Sequence, residues 1–151
     1  MLHCLTYISK AAQFMSDAQL LTLLEESRKN NQEFGITGML LYVRSSLLKH
    51  PHGRFVQALE GTETNVHRTF EKIKTDKRHH GITLINRFDI PKRSFNDWTM
   101  GFETLSSLTF SEHAKGFKLD QTFLSKNGPD FYEPVLDTLK SFYYLNKTYG
   151  S

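Results

Sequence analysis

The chain has 151 residues, 38% of them hydrophobic and 23% charged, which are the proportions of a globular protein with one domain-sized core. Its net charge of +3 is too small for the dense basic surface of a dedicated nucleic-acid-binding protein, and its one cysteine, Cys4, excludes an intrachain disulfide and a cysteine-based zinc site. Because the longest apolar run, residues 39–43, is far shorter than the roughly 20 residues of a membrane helix and the N-terminus lacks a signal-peptide pattern, we expect a cytoplasmic protein.

Residues 2–8 predict a short first strand that ends before the polar turn at Ser9. Side chains of a strand alternate between its two faces, so Tyr7 shares a face with Leu5 while Cys4 lies on the opposite face. We therefore expect that Tyr7 and Cys4 do not share a pocket.

A first helix is predicted after residues 16–19, whose sequence Ser-Asp-Ala-Gln is a capping box. Leu20 and Leu24 begin its apolar face, and Asn31 continues that face with Asn30 beside it. Two amides at the end of an apolar face are consistent with a ligand site and equally with local capping of the helix C-terminus.

Two strands are predicted next, over residues 36–43 and 55–61. The residues between them, 44–54, predict a connection longer than a tight hairpin needs, and its two histidines lack a third ligand, so we predict no metal site. Gln57 falls on an apolar face of the second strand, where a buried amide needs a polar partner. Neighbouring backbone or a ligand would satisfy it.

A second helix is expected to begin after Thr62 and to run until Gly81, with basic residues around Asp76 in its last turns. These basic side chains suit either a solvated helix end or an anion contact. Residues 82–89 and 98–103 predict two further strands.

The resulting order is strand, helix, strand, strand, helix, strand, strand, which favours an α+β fold. We predict a ferredoxin-like sandwich, with a five-stranded mixed sheet, two helices on one face and C-terminal helices. Residues 104–151 are too few for an independent core, so we expect this C-terminal helical extension to cover the open face of the sheet or to form an interface.

Several short motifs occur together in this chain. In chain order they are Tyr7 at a strand end, Asn30-Asn31 at a helix end, Gly-Ile-Thr-Gly at 35–38, Gln57 within Phe-Val-Gln-Ala-Leu-Glu-Gly, Asp-Lys-Arg-His at 76–79 and Trp-Thr-Met at 98–100. Over residues 2–103 this set resembles the BLUF family of blue-light-sensing flavoproteins. The chain departs from the family pattern at 44–54, where a short hairpin is common.

The resemblance implies a flavin, typically FAD with FMN or riboflavin as alternatives, held between the two helices. It implies that excitation draws an electron from Tyr7 with proton movement through Gln57, which then changes orientation or tautomer and bonds the flavin C4 carbonyl more strongly. The implied cofactor-binding residues are Asn30, Asn31, Gln57, Lys72, Asp76, Arg78 and His79. Trp98 and Met100 are the implied signal relay to the tail.

These implications give a photosensor domain over residues 1–103 followed by the extension at 104–151. Because few residues remain for an effector domain, we expect a chain that is not an enzyme and that signals to a separate partner protein, as a homo-oligomer and without nucleic acid or membrane. One alternative is a ferredoxin-like hydrolase, which would be colourless and indifferent to light. Another is a nucleic-acid-binding module, which salt-dependent binding would reveal.

Overall fold

The computed structural model of the chain describes residues 2–45, 52–95 and 101–106. The elements in chain order are β1 (Leu2–Ala11), α1 (Asp17–Phe34), β2 (Thr37–Ser45), β3 (His52–Thr62), α2 (Glu63–Lys74), β4 (His79–Ile90) and β5 (Gly101–Ser106). The five strands form one sheet in the order β4-β1-β3-β2-β5, in which only the β2–β5 pair is parallel. The predicted α+β fold with a five-stranded mixed sheet is therefore confirmed, while the expected C-terminal helices lie outside the described residues.

The first helix begins and ends where the sequence predicts. The Ser16 side chain accepts a hydrogen bond from the Gln19 backbone and the Gln19 side chain accepts one from the Ser16 backbone, which completes the capping box. Gly35 caps the C-terminus in the left-handed conformation, with φ of 64°, that glycine adopts without steric cost. Leu20, Leu24 and Asn31 are the buried residues of this helix, so one face is anchored at both ends.

The connection expected over residues 44–54 is shorter than predicted, because the strands continue into it. Arg44 pairs with Gly53 and Ser45 pairs with His52, which leaves residues 46–51 outside the described part of the chain. The sequence pattern did not predict these strand ends because their side chains are polar. Backbone pairing at the exposed end of a hairpin needs no apolar pattern. Gly53 is required there, because a Cβ atom at this position would clash with the buried side chain of Tyr42.

The second helix ends earlier than the sequence predicts. It stops at Lys74, and His79 belongs to β4, in which Gly81 adopts a positive φ of 62° rather than ending a helix. The cause is a local turn, in which the Asp76 carboxylate accepts a hydrogen bond from the Arg78 backbone N–H at 2.9 Å. Aspartate side chains that bond nearby backbone in this way compete with helix formation.

The helix-facing side of the sheet carries the hydrophobic core. Strand residues of this side pack with α1 and α2, and the set includes Leu5, Tyr7, Leu40, Tyr42, Phe55, Leu59, Leu20, Leu24, Val66 and Phe70. The opposite side is buried as well, at Cys4, Met39, Leu41, Val56 and Ala58. Tyr7 and Cys4 thus lie on opposite sides of β1, as alternation predicts. Among the described residues, no helix has the length and apolar character needed to cross a membrane.

A buried carboxylate, that of Glu60, fixes the end of β3, and no sequence pattern predicts its hydrogen-bond partners. Glu60 is fully buried and accepts hydrogen bonds from the backbone N–H groups of Ser94 and Phe95 at 2.8 and 2.6 Å and from the Thr37 hydroxyl at 2.9 Å. Arg93 adds bonds to the Thr37 hydroxyl and the Glu60 backbone carbonyl. This Glu60 anchor, which comprises Glu60, Thr37 and residues 93–95, ties the segment after β4 to the centre of the sheet.

Removing the carboxylate of the Glu60 anchor should destabilise the fold. We expect Glu60→Ala to lower the free energy of unfolding by roughly 2–4 kcal/mol, because buried backbone N–H groups lose their charged acceptor. Glu60→Gln keeps one acceptor oxygen and should cost about half as much. Urea denaturation of the three proteins measures the difference, and equal midpoints for all three would contradict the anchor.

Candidate functional site

Two adjoining cavities lie between α1, α2 and the helix-facing side of the sheet. The larger has a volume of about 170 Å³ and the smaller about 70 Å³. Both are lined by Ser27, Gln57, Ile73, Asp76 and Arg78. Strand β3 supplies the floor and the two helices supply the walls, so the sequence-predicted site residues from separate elements meet at one place.

Tyr7 and Gln57 face each other at the bottom of this space. The antiparallel register of β1 and β3 pairs the two residues directly, and both side chains are buried on the helix-facing side. The Tyr7 hydroxyl donates a hydrogen bond to Gln57 Oε1. The polar partner that the sequence requires for Gln57 is thus a tyrosine 50 residues away in the chain.

The phenol of Tyr7 stays protonated over the physiological pH range. Burial, and then the negative charge of Asp76, raise its pKa well above the ordinary value of 10.0. A neutral phenol that loses an electron becomes a strong acid, and it needs a proton acceptor within reach. The Gln57 carbonyl oxygen already accepts the hydrogen bond of this phenol, so an acceptor for its proton lies within reach.

His79 packs beside this pair and is held by the protein itself. Its ring lies edge-on to the Tyr7 ring, with the centroids 6.2 Å apart. Nδ1 lies 2.7 Å from the Ser9 hydroxyl, and Nε2 lies 2.7 Å from the Ile73 carbonyl oxygen, which requires a hydrogen on Nε2. His79 lines the smaller cavity. With both nitrogens engaged, it offers a ligand its ring surface rather than a hydrogen bond.

The two adjacent asparagines of α1 both line the larger cavity. Asn31 is buried, with an exposed fraction of 2%. The observed C-cap of the helix uses the backbone carbonyl of Asn31, which accepts from the N–H groups of Gly35 and Ile36. The side chain of Asn31 is therefore not needed for these capping bonds. This favours the ligand-site interpretation of Asn31 over the helix-capping interpretation. Asn30 Oδ1 accepts a hydrogen bond from Lys72 Nζ at 3.1 Å, which joins the two helices at the rim.

Charged residues at the rim are paired with one another. The Arg78 guanidinium donates to both carboxylate oxygens of Asp76 and, at 2.8 Å, to Glu26 on α1. The hydrogen bond from Arg78 holds the pKa of Asp76 below its usual range, and the same bond raises the pKa of Arg78. Both groups are ionised at neutral pH, so the rim carries fixed charges beside the buried Tyr7–Gln57 pair.

Comparison with known proteins agrees with this geometry. A sequence-family model described as "Sensors of blue-light using FAD" (BLUF) matches residues 2–101. The chain belongs to the BLUF family. BLUF domains are blue-light sensors that bind FAD, with FMN in some relatives, and a BLUF domain is not itself catalytic.

One curated relative is a much longer protein than this chain. The chain is 33% identical over 129 residues to the photoactivated adenylate cyclase subunit beta of Euglena longa, covering 80% of this chain and 14% of that protein. This chain therefore spans about one seventh of the length of that curated relative.

Two solved BLUF structures match over most of both chains. The dark state of the BLUF protein BlrB superposes with a TM-score of 0.67 at 28% identity, over 93% of this chain and 96% of that chain. The photo-activated state of BlsA gives 0.70 at 26% identity, over 93% and 95%. These structures have the ferredoxin-like fold, which confirms the predicted fold class.

The residues of the BLUF cavity fit a flavin. Amide and ammonium groups that can bond the carbonyls and N–H groups of a flavin ring converge at Asn30, Asn31, Gln57 and Lys72. The lining also includes Thr69 of α2, which sequence reasoning missed and whose buried hydroxyl has no hydrogen-bond partner. The signal for Thr69 was its place on the buried face of α2, three residues after Val66. Trp98 and Met100 lie outside the described residues.

The Asp76–Arg78 ion pair should give the BLUF domain an acid-sensitive component of stability. The folded-state pKa of Asp76 is lowered, so its contribution is present at neutral pH and is lost as the pH falls below about 4. We expect Asp76→Asn to be less stable than wild type at pH 7, and the difference to shrink below pH 4.

Urea unfolding of both proteins from pH 7 to pH 3 checks this, and repeating the series in about 1 M salt should reduce the difference at pH 7, because the pair is partly exposed. Parallel stability curves for wild type and Asp76→Asn at all pH values would contradict the assignment.

Proposed function

We propose that this chain is a blue-light photoreceptor in which Tyr7 and Gln57 are the photoactive pair and which signals to a separate partner protein. The observation that carries the proposal is the buried hydrogen bond from the Tyr7 hydroxyl to Gln57 Oε1 beside a cavity that fits a flavin ring. When bound, a flavin supplies absorption of blue light and an excited ring that accepts an electron.

Tyr7 supplies that electron, and its proton moves to Gln57. Burial and the Asp76 charge oppose the free phenolate, so electron loss and proton loss occur together along the existing hydrogen bond. Gln57 can take part because a primary amide carries both an acceptor oxygen and donor N–H groups, whereas an alkyl group has neither. Once the electron and a proton have returned to Tyr7, Gln57 would remain in a different orientation or tautomer. From there its N–H group would donate more strongly toward the C4 carbonyl of a bound ring.

The remaining lining residues hold the cofactor. Asn31, deepest of the α1 residues in the cavity, suits the carbonyl edge of the ring with Asn30 beside it. Lys72 and Arg78 lie at the rim and carry the positive charge that suits phosphate groups, while Asp76 orients Arg78. The cavities are smaller than the roughly 300–1,000 Å³ of a typical ligand pocket, which favours burial of the ring with the rest of FAD outside.

The signal leaves through the edge of the sheet opposite β4. Register places Tyr7, Gln57, Leu40 and Phe102 in one row across β1, β3, β2 and β5. A change at Gln57 is therefore two strands away from β5, which follows Trp98 and Met100 in the chain. These two residues relay the change along β5, which includes the first three residues of the extension at 104–151. The rest of that extension covers the sheet or contacts the partner.

The Euglena longa relative is a photoactivated adenylate cyclase subunit. For this chain we propose an effector on a separate protein. The coupling requires that the partner binds the dark and lit states with different free energies, commonly by about 1–3 kcal/mol. We propose a cytoplasmic homo-oligomer that acts by contact and not by catalysis, without nucleic acid or membrane.

The visible absorption spectrum before and after blue light tests the function. Wild type loaded with FAD should show a small red shift of the flavin band that reverses in the dark. Tyr7→Phe and Gln57→Leu should still bind the flavin but should not show the red shift. They remove the proton donor and the proton acceptor, respectively, and leave the other cavity-lining residues in place. Tyr42→Phe is the matched control, since it removes a buried hydroxyl that bonds Met15 outside the cavity, and it should keep the shift.

Other outcomes of this experiment would each contradict the proposal in a specific way. A full photocycle in Tyr7→Phe or Gln57→Leu would remove the role of that residue. Irreversible bleaching of wild type would indicate redox chemistry, and a colourless wild type that refuses added FAD would favour the hydrolase or the nucleic-acid-binding module.

Asn31 should contribute to flavin affinity. We expect Asn31→Ala to weaken FAD binding by about threefold to tenfold or to shift the dark spectrum, the usual effect of one lost hydrogen bond. Gln32→Ala, at an exposed neighbouring position, is the control and should leave both unchanged. If Asn31→Ala has the affinity and spectrum of wild type, the side chain serves the helix end and not the cofactor.

A further inference from the structure

The hydroxyl of Thr69 on α2 is buried without a hydrogen-bond partner. Thr69 lies in the middle of α2 with an exposed fraction of 4%, and Oγ1 has no hydrogen-bond partner. A threonine within a helix commonly bonds the carbonyl four residues earlier, as Thr22 of α1 does with Ala18 at 3.1 Å. Thr69 forms no such bond.

An unpartnered buried hydroxyl is costly where an apolar group would fit. Valine has nearly the same shape as threonine and would fill this position without burying an unsatisfied polar atom. The neighbours of Thr69 on the buried face of α2, Val66 and Phe70, are apolar. The hydroxyl is therefore unfavourable in the protein alone and becomes favourable once a partner atom enters the cavity.

The position of Thr69 indicates which part of a ligand it meets. It lines the larger cavity together with Asn30, Asn31 and Lys72. Lys72 follows one helical turn later and lies exposed at the rim, where it bonds Asn30. Thr69 is buried to an extent similar to that of Asn31, and both residues line the same cavity as Gln57.

We propose that Thr69 is a further flavin-binding residue, whose hydroxyl forms a hydrogen bond with a polar atom of the isoalloxazine ring or of the ribityl chain. This inference rests on the flavin binding described above. A hydroxyl can donate to a ring carbonyl or a ribityl oxygen and can accept from ring N–H, so both parts of the flavin offer it a partner. The proposed hydrogen bond of Thr69 does not involve the phosphate groups of FAD.

The test compares Thr69→Val, which removes the hydroxyl and keeps the shape, with Thr69→Ser, which keeps the hydroxyl. We expect Thr69→Val to bind FAD about threefold to tenfold more weakly than wild type and Thr69→Ser to remain within about twofold. The flavin-free Thr69→Val protein should be at least as stable to urea as flavin-free wild type, because an unsatisfied polar atom is gone. A ligand contact therefore predicts weaker FAD binding together with undiminished stability of the flavin-free protein. A packing role would instead lower the stability of the flavin-free protein.

The dark absorption spectrum identifies the partner atom. A shifted flavin band in Thr69→Val supports a contact with the ring, and weaker binding with an unshifted band supports a contact with the ribityl chain. If Thr69→Val binds FAD as tightly as wild type with the same band, or if Thr69→Ser loses as much affinity as Thr69→Val, the proposal is wrong. Wild type that takes up no FAD would overturn the flavin assignment itself and this contact with it.

Discussion

The hydrogen bond between Tyr7 and Gln57 is the interaction on which the site depends. Each residue is a polar group on an apolar side of a strand, and each would carry an unsatisfied atom if the other were displaced. A shift of one residue in the pairing of β1 with β3 would turn every side chain of the shifted strand to the other side of the sheet. Because both sides of β3 are buried, such a shift would be costly. The sheet register therefore sets the geometry of the Tyr7–Gln57 pair.

The charges at the rim act on this pair in a consistent direction. Asp76 raises the pKa of Tyr7, so it opposes simple deprotonation. The same negative charge favours loss of an electron from Tyr7, because it stabilises the positive charge that develops on the phenol ring as the electron leaves. Arg78 keeps Asp76 ionised across the neutral range. Under the proposed mechanism, the Asp76–Arg78 ion pair that lines the cavity supports coupled electron and proton transfer from Tyr7.

Sequence reasoning succeeded where the physics is local. Alternation along a strand placed Tyr7 and Gln57 on apolar sides, and the capping box and Gly35 fixed the ends of α1. It failed where the outcome depends on distant pairing or on turns. The end of α2 was misplaced because the Asp76 turn competes with the helix, and the pairing of Ser45 with His52 had no apolar signal. That Tyr7 meets Gln57 across β1 and β3 followed from the family resemblance and not from periodicity.

The Glu60 anchor restricts how a change at Gln57 can spread. The two residues lie on the same central strand, three positions apart and therefore on opposite sides of the sheet. Glu60 ties this strand to Thr37 on β2 and to the backbone of Ser94 and Phe95, so a displacement of the whole strand would break several bonds of a buried carboxylate. Under the proposed mechanism, switching at Gln57 is then a change of side-chain hydrogen bonds on a fixed backbone. Its effect passes across the row through Leu40 to β5, while the anchor holds residues 93–95 against β3.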